Sequence, residues 1–460
     1  MKQQSTQLGT DKIPKLMMRF SLPAFIGMFV MALYNIADTF YIARGVGTQA
    51  VAALSISFPL QLIITAFAAA IGIGGASIIS RRLGEGKLGK ANEVFGHVMW
   101  LVGLFSIIMV GLSLSFLDPI LVAFGATQDV LPYASEYMSI ILYGALFQAF
   151  MMASNNIVRS EGNAKVAMLT MIISAGLNIV LDPIFIFWLD MGVAGAAIAT
   201  VISQAVGAVW IFLYFWTGKS SLTFKWIGLV PKLNVVQEIV GIGSATFVRQ
   251  VAGSFMFIAV NWMLVLHGGD TAVAIFGIIN RIMMFAIMPM FGIVQGMQPI
   301  IGYNYGAKLY HRVSDTLKLG IIISSGLATF VWVVTMLFPG AMMSIFSTDP
   351  TVVKGGEEAM RWVFLAAPII GFQMVSGGLY QALGKAKISL VLSMSRQLVF
   401  LIPLVLILPS FFGLVGVWIA FPIADILSFV LSLFFIWRDR STLFQKAPAQ
   451  EKLREVEVNG

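Results

Sequence analysis

Apolar residues in this chain come in long, nearly unbroken stretches, and polar residues are confined to short intervals between them. The stretches run at 17–43, 51–79, 94–117, 131–158, 166–188, 192–216, 235–265, 272–300, 314–340, 356–383, 388–411 and 413–437. A helix of roughly 20 residues crosses a ~30 Å hydrocarbon core at 1.5 Å per residue, so the pattern predicts twelve membrane-crossing helices. Strict alternation of polar and apolar positions does not occur, which excludes an outer-membrane barrel. The stretch from Met17 is too long for the apolar part of a signal peptide and has no convincing cleavage site. It is read as a retained first span.

The second half of the chain repeats the first at a shift of about 222 residues. Phe25 falls on Phe247, Gly74 on Gly296, Gly84 on Gly306, and Ala164-Lys165 on Ala386-Lys387. At a shift of 221, Gly192 and Gly195 fall on Gly413 and Gly416. Six spans is an even number, so both halves enter the membrane from the same side and the repeat is parallel, with its pseudo-two-fold axis along the membrane normal. The expected fold is an all-α polytopic membrane protein. Its segments are a cytoplasmic N-terminal segment 1–16, a first lobe 17–218 and a cytoplasmic linker 219–234, then a second lobe 235–437 and a cytoplasmic tail 438–460.

Composition agrees: 58% of residues are hydrophobic and 11% charged, and the mean hydropathy is +0.90. Without a single cysteine, disulfides, thiolate catalysis and cysteine metal sites are excluded. A net charge of +8 raises the question of nucleic acid, and its placement answers it. Of 29 Lys and Arg, 23 fall on one side, in the termini and alternate loops or, for Arg19 and Lys318, in the first turns of the adjoining spans; two (Arg44, Lys354) fall on the other, and four (Arg249, Arg281, Arg361, Arg396) lie elsewhere within spans. That distribution is topological; it puts both termini in the cytoplasm and gives no sign of a nucleic-acid partner. The turn Gly84-Glu85-Gly86-Lys87 is glycine-rich, but no strand precedes it and the phosphate-loop spacing is missing.

The candidate chemistry lies in polar residues inside the spans. In Leu177-Asn178-Ile179-Val180-Leu181-Asp182-Pro183 an amide and a carboxylate stand four apart, hence on one helix face. An acid at that depth costs at least ~2.5 kcal/mol to insert unless it has a partner or a proton. It is either a hydrogen-bonded tie between helices or a functional charge. Asp38, four residues after Tyr34, is a second buried acid. Thr200 and Gln204 stand one turn apart on the sixth span, where they can face the fifth; Gln148, Asn155 and Asn156 lie on the fourth. The repeat sharpens the choice. Asp38 maps to Val260, and the second half reads Leu398-Val399-Phe400-Leu401-Ile402-Pro403 where the first has Asn, Asp and Pro. Acids at these matched positions in one lobe only favour an ion site there. Pro23, a turn inside the first span, is a candidate hinge. Met283, Met284 and Met288 form a candidate repackable surface for apolar cations. Asp425 reads as one half of a structural ion pair with an in-span arginine.

Taken together, Pro23 and Asp38, Arg159 with Gly162-Asn163, Asn178 with Asp182-Pro183, and Gly192, Gly195 and Thr200 resemble the multidrug and toxic compound extrusion (MATE) family over nearly the whole chain. The likeness is to the prokaryotic branch that keeps its coupling acids in the N-terminal lobe; the second-lobe acids of the other bacterial branch are absent, so the resemblance lends no support to Na⁺ coupling there. It implies antiport: inward H⁺ or Na⁺ drives a cationic amphipathic drug outward, through a V-shaped cleft that opens to either side in turn. The implied cation site is Asp38, Asn178, Asp182 and Thr200, holding a proton or Na⁺, with Tyr34 and Asn155 as neighbours. The expected protein is a monomer in the cell membrane that needs no cofactor. Two other readings stay open. A flippase for lipid-linked precursors would use Arg249, Arg281 and Arg396 on a pyrophosphate. An intramembrane enzyme would need a His/Glu metal motif or a Gly-x-Ser-x-Gly elbow, and neither occurs.

Overall fold

Every long apolar stretch is helical in the computed structural model, which describes residues 3–223 and 231–444. Residues 1 and 2 of the N-terminal segment, 224–230 of the linker and 445–460 of the tail lie outside the described residues. After a short helix Gln3–Thr10 come α1 (Ile13–Gly45), α2 (Thr48–Gly84), α3 (Leu88–Ser115), α4 (Leu131–Ser160), α5 (Ala164–Pro183, continued by a π turn Ile184–Trp188) and α6 (Gly192–Trp216). The helix Leu233–Gly306 breaks at Gly269, where φ is +62°, into two crossings, α7 and α8. Then follow α9 (Tyr310–Leu337) and α10, a pair Pro350–Phe364 and Ala367–Ala382 bent by 47°. Last are α11, from Ala386 to Phe412 with a π segment Ser395–Leu401, and α12 (Leu414–Arg438). Counting the broken and bent helices this way gives twelve crossings, as expected.

The repeat is written into the backbone as well as the side chains. Left-handed φ values occur at Gly47 and Gly269, Gly86 and Lys308, and Gly162 and Gly384, each pair 222 residues apart, and at Gly192 and Gly413, 221 apart. The chain turns out of a helix at matching places in both halves. Lys308 is the exception in residue type: it adopts at φ +62° a conformation that disfavours a side chain by ~1–2 kcal/mol.

The chain divides into two compact units that do not follow the expected lobe limits. One is Met1–Gln7 with Leu22–Phe247; the other is Leu8–Ser21 with Val248–Gly460. Two close approaches of backbone explain the exchange. A Cβ on Gly74 of α2 would meet the Ile239 carbonyl at 2.2 Å, and one on Gly243 would meet the Ala70 carbonyl at 2.2 Å, so the start of α7 lies against α2 in the first unit. The repeat-related Gly296 of α8 lies against Ser21, whose nitrogen a Cβ would meet at 2.7 Å. Small residues at such crossings let helices in a membrane pack by van der Waals contact. Farther out, Asn304 donates to the Leu8 carbonyl (2.9 Å) and Arg312 to Asn304 Oδ1 (3.0 Å), tying the segment before α1 into the second unit.

In the first unit the turn after α4 is held by a buried carboxylate. Glu161, 1% exposed, accepts from Tyr214 Oη (2.7 Å), Ser220 Oγ (2.7 Å) and the Ser221 amide (2.8 Å). Asn163 caps α5 by accepting from the Val166 amide (3.3 Å) and donates to Tyr214 Oη (3.2 Å). Both described ends of the linker are pinned to α3: the Thr223 amide donates to Asn92 Oδ1 (3.0 Å) and the Lys232 amide to His97 Nε2 (2.9 Å). Burial pushes the Glu161 carboxyl up to about 7, outweighing the hydrogen bonds that favour its charged form.

This packing can be tested at two points. Gly74→Ala will lower thermal stability by about 1–3 kcal/mol, while Gly103→Ala, which meets nothing within 4 Å, will leave it unchanged or raise it by up to ~1 kcal/mol; melting curves of the purified variants decide. With its folded-state value above the ordinary one, Glu161 contributes stability that is present in acid and lost as pH rises through about 7. Melting temperature should therefore fall from pH 5 to pH 8 more steeply in the wild type than in Glu161→Gln, and equal slopes would refute the assignment.

Candidate functional site

Three helices of the first unit bring their polar residues to one place. Asp38 comes from α1, Asn178 and Asp182 from α5, and Thr200 from α6, and their exposures are 6, 1, 0 and 5%. Asn178 Nδ2 donates to Thr200 Oγ1 at 3.2 Å, so the face predicted from four-residue spacing does meet the sixth span. The two carboxylates lie within electrostatic reach of each other, with Asn178 beside Asp182. Tyr34, a turn before Asp38, points its hydroxyl into the same volume, in range of Thr200 and of both acids. Pro183 supplies no N–H to the Ile179 carbonyl, and the π turn follows at once.

What marks the cluster is a shortage of donors. Asp38 Oδ1, Asn178 Oδ1 and both oxygens of Asp182 are buried with no hydrogen-bond donor reaching them. A buried polar atom without a partner costs ~1–3 kcal/mol, and an ionised carboxylate more. Such an arrangement can take up a proton, or it can ligate a hard monovalent cation through carboxylate, amide and hydroxyl oxygens. Among the described residues no group of three His, Asp or Glu side chains converges as a metal site of the usual kind.

Asn155, expected beside the cluster, and Met283, expected on a substrate-facing surface, lie elsewhere. Asn155 donates to the Ala167 carbonyl at 2.7 Å; Ala167 precedes Asn178 by 11 residues, about 16 Å along a helix, so Asn155 secures the α4–α5 turn region instead. Met283 is 8% exposed and packs in the core of the second unit with Val260 and Ile279. Met284, by contrast, is 65% exposed and Met288 half-buried. The helical spacing that groups these methionines by sequence sends them to different environments, and Met283 is a packing residue. In the second unit Arg396 pairs with Asp425, as expected.

Sequence reasoning missed Gln61 and Tyr137. Gln61 Nε2 donates to Tyr137 Oη at 3.5 Å, and Tyr137, 3% exposed, lies within reach of Asp38 and Asp182. The track continues from Gln148, which donates to Thr65 Oγ1 (3.3 Å), to Thr65, which donates to the Gln61 carbonyl (2.7 Å). A lone Gln in the second apolar stretch was the available signal.

The MatE family model matches residues 23–184 and again residues 245–407, a shift of 222 between the two starts. The chain belongs to the MATE family. MATE proteins are membrane transporters, so this MATE chain is a multi-pass transporter and not an enzyme. The multidrug export protein MepA of Staphylococcus haemolyticus (strain JCSC1435) is 29% identical over 434 residues, 94% of this chain and 95% of its own. The MATE multidrug transporter DinF-BH, solved in complex with a small molecule, is 51% identical with a TM-score of 0.88, covering 97% of this chain and 100% of that one. A MATE crystal structure in a bent conformation is 29% identical with a TM-score of 0.90 over 95% of this chain and 98% of that one.

The donor shortage in this MATE chain has a consequence for stability alone. Asp182→Asn replaces an unneutralised charge by a neutral group of the same shape and should melt no lower than the wild type at pH 8, a result opposite to that of removing a paired buried carboxylate. A melting point several degrees lower would mean that Asp182 has a partner in the folded protein.

Proposed function

We propose that this chain exports cationic amphipathic drugs from the cell, driven by inward H⁺ or Na⁺ that discharges Asp38 and Asp182. The observation that carries the reading is the set of four buried oxygens without donors on Asp38, Asn178 and Asp182, residues whose counterparts 222 positions on, Val260, Phe400 and Leu404, are apolar. The names of its relatives support the substrate class: MepA is a multidrug export protein, and DinF-BH is a multidrug transporter.

In this reading the coupling ion enters from outside and neutralises the acid pair, with Asn178, Thr200 and Tyr34 supplying further oxygens. Neutral, the cluster packs as apolar helices do; charged, it attracts either the next cation or the drug. Ion and drug are thus linked through their preference for different conformations of the protein. Pro23 is the hinge: it breaks the hydrogen-bond ladder of α1 one residue beyond the point, between Ser21 and Leu22, at which that helix passes from one compact unit to the other. The working unit is a single chain in the cell membrane, with both termini cytoplasmic as its basic loops direct.

Asp38→Asn and Asp182→Asn should each abolish efflux of a cationic dye from cells while reaching the membrane at wild-type levels. Retention of full efflux by either variant refutes the reading. In proteoliposomes, an imposed pH gradient or an imposed Na⁺ gradient, applied separately, identifies the ion.

A further inference from the structure

The second unit contains a cavity of about 320 Å³ that the acid cluster does not touch. Its lining includes two arginines and no acid. Arg396 lies in the π segment of α11 and donates through Nε to Oδ1 of Asp425, so its charge is opposed while its terminal nitrogens are left to the cavity. Arg249, on α7, meets only the ring face of Phe291, 5.7 Å from its centroid, and among the described residues no carboxylate pairs with it. Counting Asp425, the site carries one more positive than negative charge.

A guanidinium in a membrane domain is costly unless it is paired or hydrated, and this one is placed against groups that suit a ligand. Gln373 and Gln397 line the same space with side-chain oxygens that have no donor; the Gln373 amide nitrogen is held by the Asp425 carbonyl, and among the described residues no hydrogen bond fixes the Gln397 side chain. Ile287, Phe291 and Met374 supply an apolar wall. The two arginines have no counterpart in the first repeat: the residue 222 positions before Arg249 is Gly27, and before Arg396 it is Ser174. The excess positive charge is a property of the second repeat, as Asp38 and Asp182 are of the first.

We propose that this cavity binds the oxyanion end of an amphipathic organic anion: one carboxylate, sulfonate or phosphate on an apolar body. The planar, multiply donating guanidinium fits such a group better than any other common partner, and the volume suits a small ligand. The anion bridges Arg249 and the unused nitrogens of Arg396, and its body lies on Phe291 and Met374.

The test uses the full chain in phosphatidylcholine nanodiscs, with bare nanodiscs as the reference, and three fluorescent probes of one body: 1-pyrenebutyrate, 1-pyrenebutanol and the trimethylammonium analogue. Pyrenebutyrate should bind saturably and the alcohol should not, and the ammonium probe should not displace the anion. Arg249→Gln should weaken the anion at least about tenfold, the size of one charge-assisted hydrogen bond, with Arg249→Lys, which keeps the charge but loses the planar fork, falling between Arg249→Gln and wild type. Asp38→Asn and Asp182→Asn should leave it unchanged, which separates this site from the proposed coupling site. Displacement by added phosphatidylglycerol, dependent on Arg249, identifies the bilayer as the source of the anion; no displacement identifies a soluble anion. Absence of saturable binding, equal binding of the alcohol, or indifference to both Arg249→Gln and Arg396→Gln would overturn the proposal. Should Arg249→Gln fail to fold, the comparison of probes on the wild type decides alone.

Discussion

Two carboxylates, three of whose four oxygens are buried without a donor, in a medium of low dielectric form the constraint on which the first unit depends. A lysine or arginine beside Asp38 and Asp182 would neutralise them, and among the described residues none pairs with either. Four oxygens of the cluster are left without a donor. What surrounds the acids is more oxygen: the Asn178 carbonyl and the hydroxyls of Thr200 and Tyr34. By our proposal a proton or cation occupies a site of that composition, and its occupancy and the conformation of the helices that build it are then coupled quantities.

The scaffold that holds this cluster is built twice. Left-handed turns recur at repeat-related positions, and glycine crossings at Gly74 and Gly296 recur with them. Backbone turns and close helix contacts admit few residue types, so they keep the repeat visible. Charges obey no such restriction. The first repeat has acids where the second has Val260 and an apolar run, and the second has Arg249 where the first has Gly27. By our proposals, one backbone plan carries a cation-seeking cluster in one unit and an anion-seeking cavity in the other. Each lies on or beside a helix with a π turn, Ile184–Trp188 in α5 and Ser395–Leu401 in α11, a departure from α geometry that recurs at functional sites.

Span number, the parallel repeat and the meeting of Asn178 with Thr200 were legible in the chain. Hydrophobic length counts crossings because lipid demands a fully hydrogen-bonded backbone, and a four-residue spacing determines a helix face because the helical period is nearly constant. That Asp425 pairs with an in-span arginine was legible for a related reason, since a buried acid needs a cation; that the arginine is Arg396 came from the packing. Beyond one helix such rules stop. Asn155 belongs by spacing with the polar residues of the fourth span, but only packing shows its amide engaged by the Ala167 carbonyl, a turn region away from the acids. Met283 and Met284 are adjacent in sequence, yet one is core and the other faces outward. The exchange of Leu8–Ser21 and the start of α7 between units has no signature in hydropathy, since it rests on where two backbones touch. The sequence alone thus determined the number of crossings, their duplication and which buried polar groups needed a partner, a proton or an ion, because these follow from the cost of polar atoms in lipid. Tertiary structure alone decided which of those groups share a volume and which lack a donor, because contact between helices depends on side-chain shape at a few crossing points that no period in the chain encodes.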